Sequence, residues 1–241
     1  MPLKPQNSLI FTIEKNIIIT EEKRKEMQKM EIKKLVLHPL QTNCYIVKTG
    51  PKSGVVIDPA DDGEKILSVA ADMGIEIKKI LLTHGHFDHT GAAAYIKETA
   101  GAPVYIHEAD VPMLSDGNKA LSYFCPGKPF NPVEADCTLK DGDKIEQDGV
   151  IFSVMHTPGH SAGSVCYTCK NDEGADIMFA GDTIFKDSIG RSDGYSGDYI
   201  VQQITLDKLK ALKEDYRIYP GHGESTTLLT EKKFNPFIAD F

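Results

Sequence analysis

An α/β chain, with two sheets packed face to face and helices covering them on the outside, is the architecture this sequence predicts. Three observations predict it. Strand-like apolar runs fill two separate halves of the chain, and helix-prone segments alternate with them. Composition sits at globular averages, with 41% hydrophobic and 26% charged residues. A length of 241 residues supplies one large domain or two small ones.

The first 29 residues differ from the rest. A weakly apolar stretch leads there into a charge run, Glu21 to Lys29, with little to bury, which reads as a solvated short helix or a disordered arm. Residues 1–29 are therefore expected to be a dispensable extension and residues 30–241 the domain. Met30 opens the first segment with strand character, Glu31 to Leu37. Strands follow at Asn43 to Lys48 and Gly54 to Ile57, then a helix at Gly63 to Met73 and a buried strand at Ile77 to Leu82. Gly91 to Ala100 is Ala-rich and helix-prone, and Val104 to Ile106 is strand-like. From Pro112 to Asp136 three further prolines (Pro126, Pro129, Pro132) predict an irregular covering loop. Its Tyr123, Phe124 and Phe130 either wall a lid or pack into the core and loop. The second half places strands at Val150 to Met155, Ser164 to Thr168 and Ile177 to Ala180. A helix at Tyr199 to Lys213, with apolar residues at 201, 204, 209 and 212, leads to a last strand at Arg217 to Tyr219.

Charge and cysteine usage narrow the function classes. Lys and Arg number 27 against 35 Asp and Glu, a net charge of −8, and no basic block offers a footprint for duplex nucleic acid. Five cysteines spread along the chain do not form a disulfide framework, so a reducing cytoplasm is the expected home. Cys166 and Cys169 fall on a predicted strand, where positions three apart face opposite ways, and read as buried structural thiols. No run reaches the roughly 18 apolar residues of a membrane helix, and Leu9 to Thr20 is broken by Glu14, Lys15 and Asn16.

The chemistry concentrates in Thr83-His84-Gly85-His86-Phe87-Asp88-His89, four potential metal ligands in six positions between a strand and a helix. Extended chain would face 84, 86 and 88 the same way, and the turn into the helix lets Asp88 and His89 diverge from the first two, so one segment can serve two neighbouring ions. Three further candidates follow short apolar runs beside glycine: His160, Asp182 and His222. Meeting at one edge of the core, these residues would assign one ion to His84, His86 and His160 and a second to Asp88, His89 and His222, with Asp182 bridging. Imidazole and carboxylate donors without thiolate suit Zn²⁺ and also accept Fe²⁺ or Mn²⁺. His38 and His107 have no evident partners, His156 lies within a strand-like run four residues before His160, and all three read as structural. Asp58, in Val55-Val56-Ile57-Asp58-Pro59, reads either as a turn residue or as an outer carboxylate orienting a ligand imidazole.

These residues resemble the metallo-β-lactamase superfamily, whose signature His-x-His-x-Asp-His, followed by a distant His, Asp and His, reads here as His84, His86, Asp88, His89, His160, Asp182 and His222. The resemblance implies a four-layer αββα sandwich with two metals at one edge of the sheets. It also favours the outer-carboxylate role for Asp58. Within the superfamily, Leu40 to Val47, Thr157 to Ser164, Gly181 to Phe185 and Ser188 to Asp193 look like bacterial glyoxalase II-like hydrolases, which split S-D-lactoylglutathione into D-lactate and glutathione. The long form of those enzymes adds a C-terminal helical domain contributing to glutathione binding, whereas only 19 residues follow His222 here. A rival branch, the persulfide dioxygenases, uses a single iron. A non-catalytic metal-binding scaffold is the third reading.

The expected activity is metal-dependent hydrolysis of a small-molecule acyl thioester, with no nucleic-acid or membrane partner. Asp182 and Asp88 are the candidate catalytic carboxylates, Asp88 being placed to orient a water or accept its proton. Arg191 is the candidate for holding a substrate carboxylate through its planar fork; otherwise it forms a surface salt bridge.

Overall fold

In the computed structural model, residues 30–37 and 39–239 are described. The extension expected over residues 1–29 and the role expected of His38 lie outside them. The strands β1 (Glu31–Leu37), β2 (Thr42–Lys48), β3 (Ser53–Ile57), β4 (Glu76–Leu81), β5 (Val104–His107) and β6 (Cys137–Leu139) form one sheet in chain order. Its first three strands pair antiparallel and its last four parallel. Strands β7 (Lys144–Gln147), β8 (Val150–His156), β9 (Val165–Lys170), β10 (Asp176–Gly181), β11 (Arg217–Pro220) and β12 (Thr226–Thr227) form the second, also in chain order. There only β10 and β11 run parallel. The helices are α1 (Gly63–Asp72), α2 (Phe87–Thr90), α3 (Ala93–Ala100), α4 (Tyr199–Ala211) and α5 (Leu228–Phe234).

The period of two in a strand builds four layers from continuous apolar runs. Along β2, Tyr45 and Val47 enter the core between the sheets, while Cys44 and Ile46 face the opposite way into a core shared with Ile66 of α1 and Ile96 of α3. Strand β10 divides likewise: Ile177 and Phe179 point inward, whereas Met178 and Ala180 join Leu209 of α4 and Leu228 of α5. Each sheet is thus apolar on both faces and needs helices outside, which yields αββα. Phe179, fully buried, stacks on Tyr219 at 5.3 Å between ring centroids. Its truncation to alanine would cost about 3–5 kcal/mol.

Several expected elements shift. The helix expected at Gly91 to Ala100 begins only at Ala93, as α3, and is separated from the preceding turn α2 where the amide of Ala92 donates to the Pro59 carbonyl at 2.9 Å and Gly91 packs against Ala60. The apolar stripe expected on α4 is corrected as well. Ile204 is 64% exposed, and the buried face carries Gln202, Thr205, Leu206 and Leu209. Two of those residues are polar because they hold loops: Gln202 Nε2 donates to the Gly190 carbonyl at 2.7 Å and Thr205 Oγ1 to that of Pro158 at 2.6 Å. The proline-rich passage is irregular apart from single 3₁₀ turns at Glu108–Met113 and Ser122–Phe124. Strands β6, β7 and β12 and helix α5 were not anticipated, being short; β7 has only one buried residue, Ile145. Among the described residues no helix is long and apolar enough to cross a membrane. Cys166 and Cys169 are both buried free thiols on β9.

Candidate metal centre

Strands β3, β4, β10 and β11 end at the same edge of the sandwich, and Asp58, His84, Asp182 and His222 lie just beyond those four ends. His160 arrives in the turn between the antiparallel strands β8 and β9. His86 caps α2 with extended backbone, and Asp88 and His89 lie within that single turn. The edge is stitched shut between sheets. The Asn43 amide donates to the Gly221 carbonyl at 2.7 Å, Asn43 Nδ2 to Pro220 and Gly223, and Tyr45 Oη to Pro220 at 2.6 Å.

All seven predicted ligands meet. His84, His86 and His160 converge, with His160 Nε2 3.2 Å from His84 Nε2 and 2.9 Å from His86 Nδ1. Asp88, His89 and His222 form a second trio, and His84, His89 and Asp182 share a third grouping between them. Asp182 Oδ2 lies 3.5 Å from both His160 Nε2 and His222 Nε2, and its Oδ1 lies 3.4 Å from His89 Nε2. One carboxylate therefore faces both trios. Its Oδ1 and His89 Nε2 are buried with no hydrogen-bond partner, a state that a bound cation would resolve. Five imidazoles and two carboxylates thus fit two divalent ions, and the donor set leaves Zn²⁺, Fe²⁺ and Mn²⁺ all admissible.

The outer nitrogens of the ligands are held as metal-binding imidazoles require. His89 Nδ1 meets Asp58 Oδ2 at 3.0 Å, His84 Nδ1 meets Thr83 Oγ1 at 3.1 Å, and His160 Nδ1 donates to the Arg191 carbonyl at 2.6 Å. Asp58 also accepts from the amide and hydroxyl of Thr83, at 2.8 and 2.7 Å, so its carboxylate joins the outer nitrogen of His89 to the segment that carries His84.

Electrostatics follows from this packing. Burial pushes His84 well below the usual imidazole range and His86 down to about 3, leaving both neutral and ready to donate. Burial alone would raise Asp88 and Asp182. Neighbouring histidines outweigh it, holding Asp88 at about 2 and Asp182 well below the carboxylate range. For His89 and His222 the same carboxylates overcome burial in the other direction, raising His89 well above its ordinary value and His222 to about 9.

A cavity of about 350 Å³ opens over the ligands, walled by Leu40, Phe87, Leu121, Phe124 and Phe185, with Arg191 at its rim. A larger groove of about 710 Å³ contains none of the seven ligands. Arg191 is committed to Asp193 through two bonds of 2.6 and 2.9 Å, and its guanidinium lies 5.1 Å from the Phe124 ring centroid. The surface salt bridge is thus present, and it takes up the Nε and Nη2 edge of the guanidinium. Of the three loop aromatics, Tyr123 and Phe124 are exposed, Phe124 lining the cavity, whereas Phe130 packs with Phe87, Met113 and Ala120. His107, read as partnerless, stacks on His156 at 4.1 Å between ring centroids.

Sequence reasoning missed three supporting residues. Thr42 Oγ1 donates to Asp88 Oδ2 at 2.8 Å, Thr83 links Asp58 to His84, and Asp110 accepts from the loops carrying His84, His86 and His160. The only hint of Thr42 was its position in the Leu40 to Val47 motif.

Comparison with known proteins agrees with this geometry. A family model described as Metallo-beta-lactamase superfamily matches residues 37–222. An uncharacterised protein of Mycobacterium tuberculosis is 38% identical over 83% of this chain and 93% of its own length. Hydroxyacylglutathione hydrolase GloC of Haemophilus influenzae is 30% identical over 87% of this chain and 98% of its own. Among solved structures, BLEG-1 B3 metallo-beta-lactamase superposes with a TM-score of 0.80 at 35% identity, covering 87% of this chain and all of that one. TTHA1623, in a di-iron-bound form, gives a TM-score of 0.74 at 38% identity, covering 85% of this chain and 99% of that one.

Proposed function

Because this chain belongs to the metallo-β-lactamase superfamily, we propose that it is a two-metal hydrolase of acyl thioesters, with S-D-lactoylglutathione as the reference substrate. The observation that carries the reading is Asp182, whose two oxygens face one histidine of the first trio and two of the second. Similarity to GloC supports the thioester class, and its 98% coverage leaves little of that protein for a further helical domain.

Two divalent ions held by these residues would supply Lewis acidity and bring the pKa of bound water from about 15.7 towards 7. The chain contributes position and charge. Asp88, anionic at neutral pH and fixed by the Thr42 hydroxyl, is placed to orient a water and take its proton. The apolar walls at Leu40, Phe124 and Phe185 offer a surface for the uncharged part of the acyl thioester. Five free thiols support a reducing, cytoplasmic setting.

The test loads purified protein with Zn²⁺, Fe²⁺ or Mn²⁺ and follows thiol release from S-D-lactoylglutathione, oxygen uptake with glutathione persulfide, and β-lactam opening. Thiol release with two ions per chain is the expected result. Oxygen uptake with a single iron and no thiol release would replace the proposal with the dioxygenase reading, and β-lactam opening alone would replace it with a lactamase.

A further inference from the structure

Asp110 lies in the 3₁₀ turn that follows β5, remote in sequence from every ligand, and it is fully buried. Its Oδ2 accepts from the Gly85 amide at 3.0 Å and from Ser161 Oγ at 2.6 Å, and its Oδ1 accepts from the Gly163 amide at 2.7 Å. Gly85 stands between His84 and His86, and Ser161 follows His160. A single carboxylate therefore ties together the two chain segments that supply the first trio. The packing leaves no room around it: a Cβ at Gly163 would sit 2.6 Å from Asp110 Cγ and Oδ1, and one at Gly85 would sit 2.6 Å from Met113 Cβ. Both glycines are required by this close approach.

A buried carboxylate is an expensive way to hold two loops, since an apolar residue of similar volume is often as stabilising or more so. What an apolar residue cannot do is fix the orientation of Gly85 and Ser161 by directional bonds. The second trio is held by bonds that do not pass through Asp110, from Thr42 to Asp88 and from Asp58 to His89. We propose that Asp110 is a positioning residue for the His84, His86 and His160 half of the centre, setting its cation affinity without touching the cation or the substrate. This inference rests on the two-metal reading.

The experiment uses the full chain, stripped by chelation and titrated with Co²⁺, each binding step being read from its own absorption band. The variant His222→Ala identifies the band of the second trio. In Asp110→Asn one of the three donors loses its acceptor, and affinity at the first trio is expected to fall about 10- to 100-fold, while the second changes by less than about threefold. Ser161→Ala, a milder change, is expected to weaken the same step by a smaller factor and covers the case in which Asp110→Asn does not fold. Equal weakening at both trios, or no change at either in a folded variant, would overturn the proposal. The function is tested separately: wild-type protein that binds two Co²⁺ but releases no thiol refutes the thioesterase reading and leaves the role of Asp110 intact.

Discussion

Replacing Asp182 by asparagine probes the shared carboxylate directly. The side chain keeps its volume and one carbonyl oxygen, but it loses the charge that faces His160, His89 and His222 at 3.4–3.5 Å. Each trio retains three donors, so one ion is still expected to bind. The second then enters without the anion that both would share. Asp182 is only 10% exposed, and removing one partner from a buried charged pair costs about 3–5 kcal/mol. At 1.4 kcal/mol per decade, that is roughly a 10²- to 4 × 10³-fold loss of affinity for the second ion. Metal content after dialysis is expected to fall from two ions per chain to one, and thiol release from S-D-lactoylglutathione to fall by at least about 10². Elemental analysis and a thiol-reactive dye measure the two quantities on one preparation. Two retained ions with turnover close to wild type would refute the bridging assignment and the dinuclear mechanism built on it.

Further outcomes follow from the surrounding structure. Asp58→Asn is compatible with the positive φ of 50° at that position but disturbs the contact with His89, so cation affinity or turnover is expected to fall about 10- to 100-fold in a competition titration; an unchanged affinity would remove Asp58 from the centre. Arg191→Ala loses an exposed, solvent-screened pair that contributes little, and kcat/KM is expected to change less than about fivefold; a larger rise in KM at constant kcat would show the fork exchanging Asp193 for substrate. At the opposite end of the sandwich, Asp148 accepts from Thr49, Ser53 and Gln147, joining the β2–β3 turn to the β7–β8 turn. Burial would raise its carboxyl, but these donors and Lys79 hold it below its ordinary value. The stabilisation is therefore present above the ordinary carboxylate range and lost as pH falls through the lowered value. The difference in urea midpoint between wild type and Asp148→Asn is expected to be full at neutral pH and to vanish in strong acid; a difference independent of pH would contradict this.

Much of the centre was legible along the chain because its ligands carry local signals. His84, His86, Asp88 and His89 lie within six positions, and His160, Asp182 and His222 each follow an apolar run beside glycine. The seven therefore announced themselves by residue type and placement. The helix α4 was legible as a helix but not in its orientation. Its stripe assumed that apolar residues face inward, whereas Gln202 and Thr205 are turned in to hold the loops of Gly190 and Pro158. Strand β12, two residues long, has no period to detect.

The sequence by itself determined the αββα class and the donor set, since strand period, helix propensity and ligand type are properties of short stretches of chain. The tertiary structure alone decided which residues hold those donors in place. Thr42 reaches Asp88 across 46 positions, Asp110 reaches Gly163 across 53, and Asn43 closes the edge against Gly223 across 180. Such bonds arise where separate strand ends are packed to the same edge, and no spacing within a segment encodes that meeting.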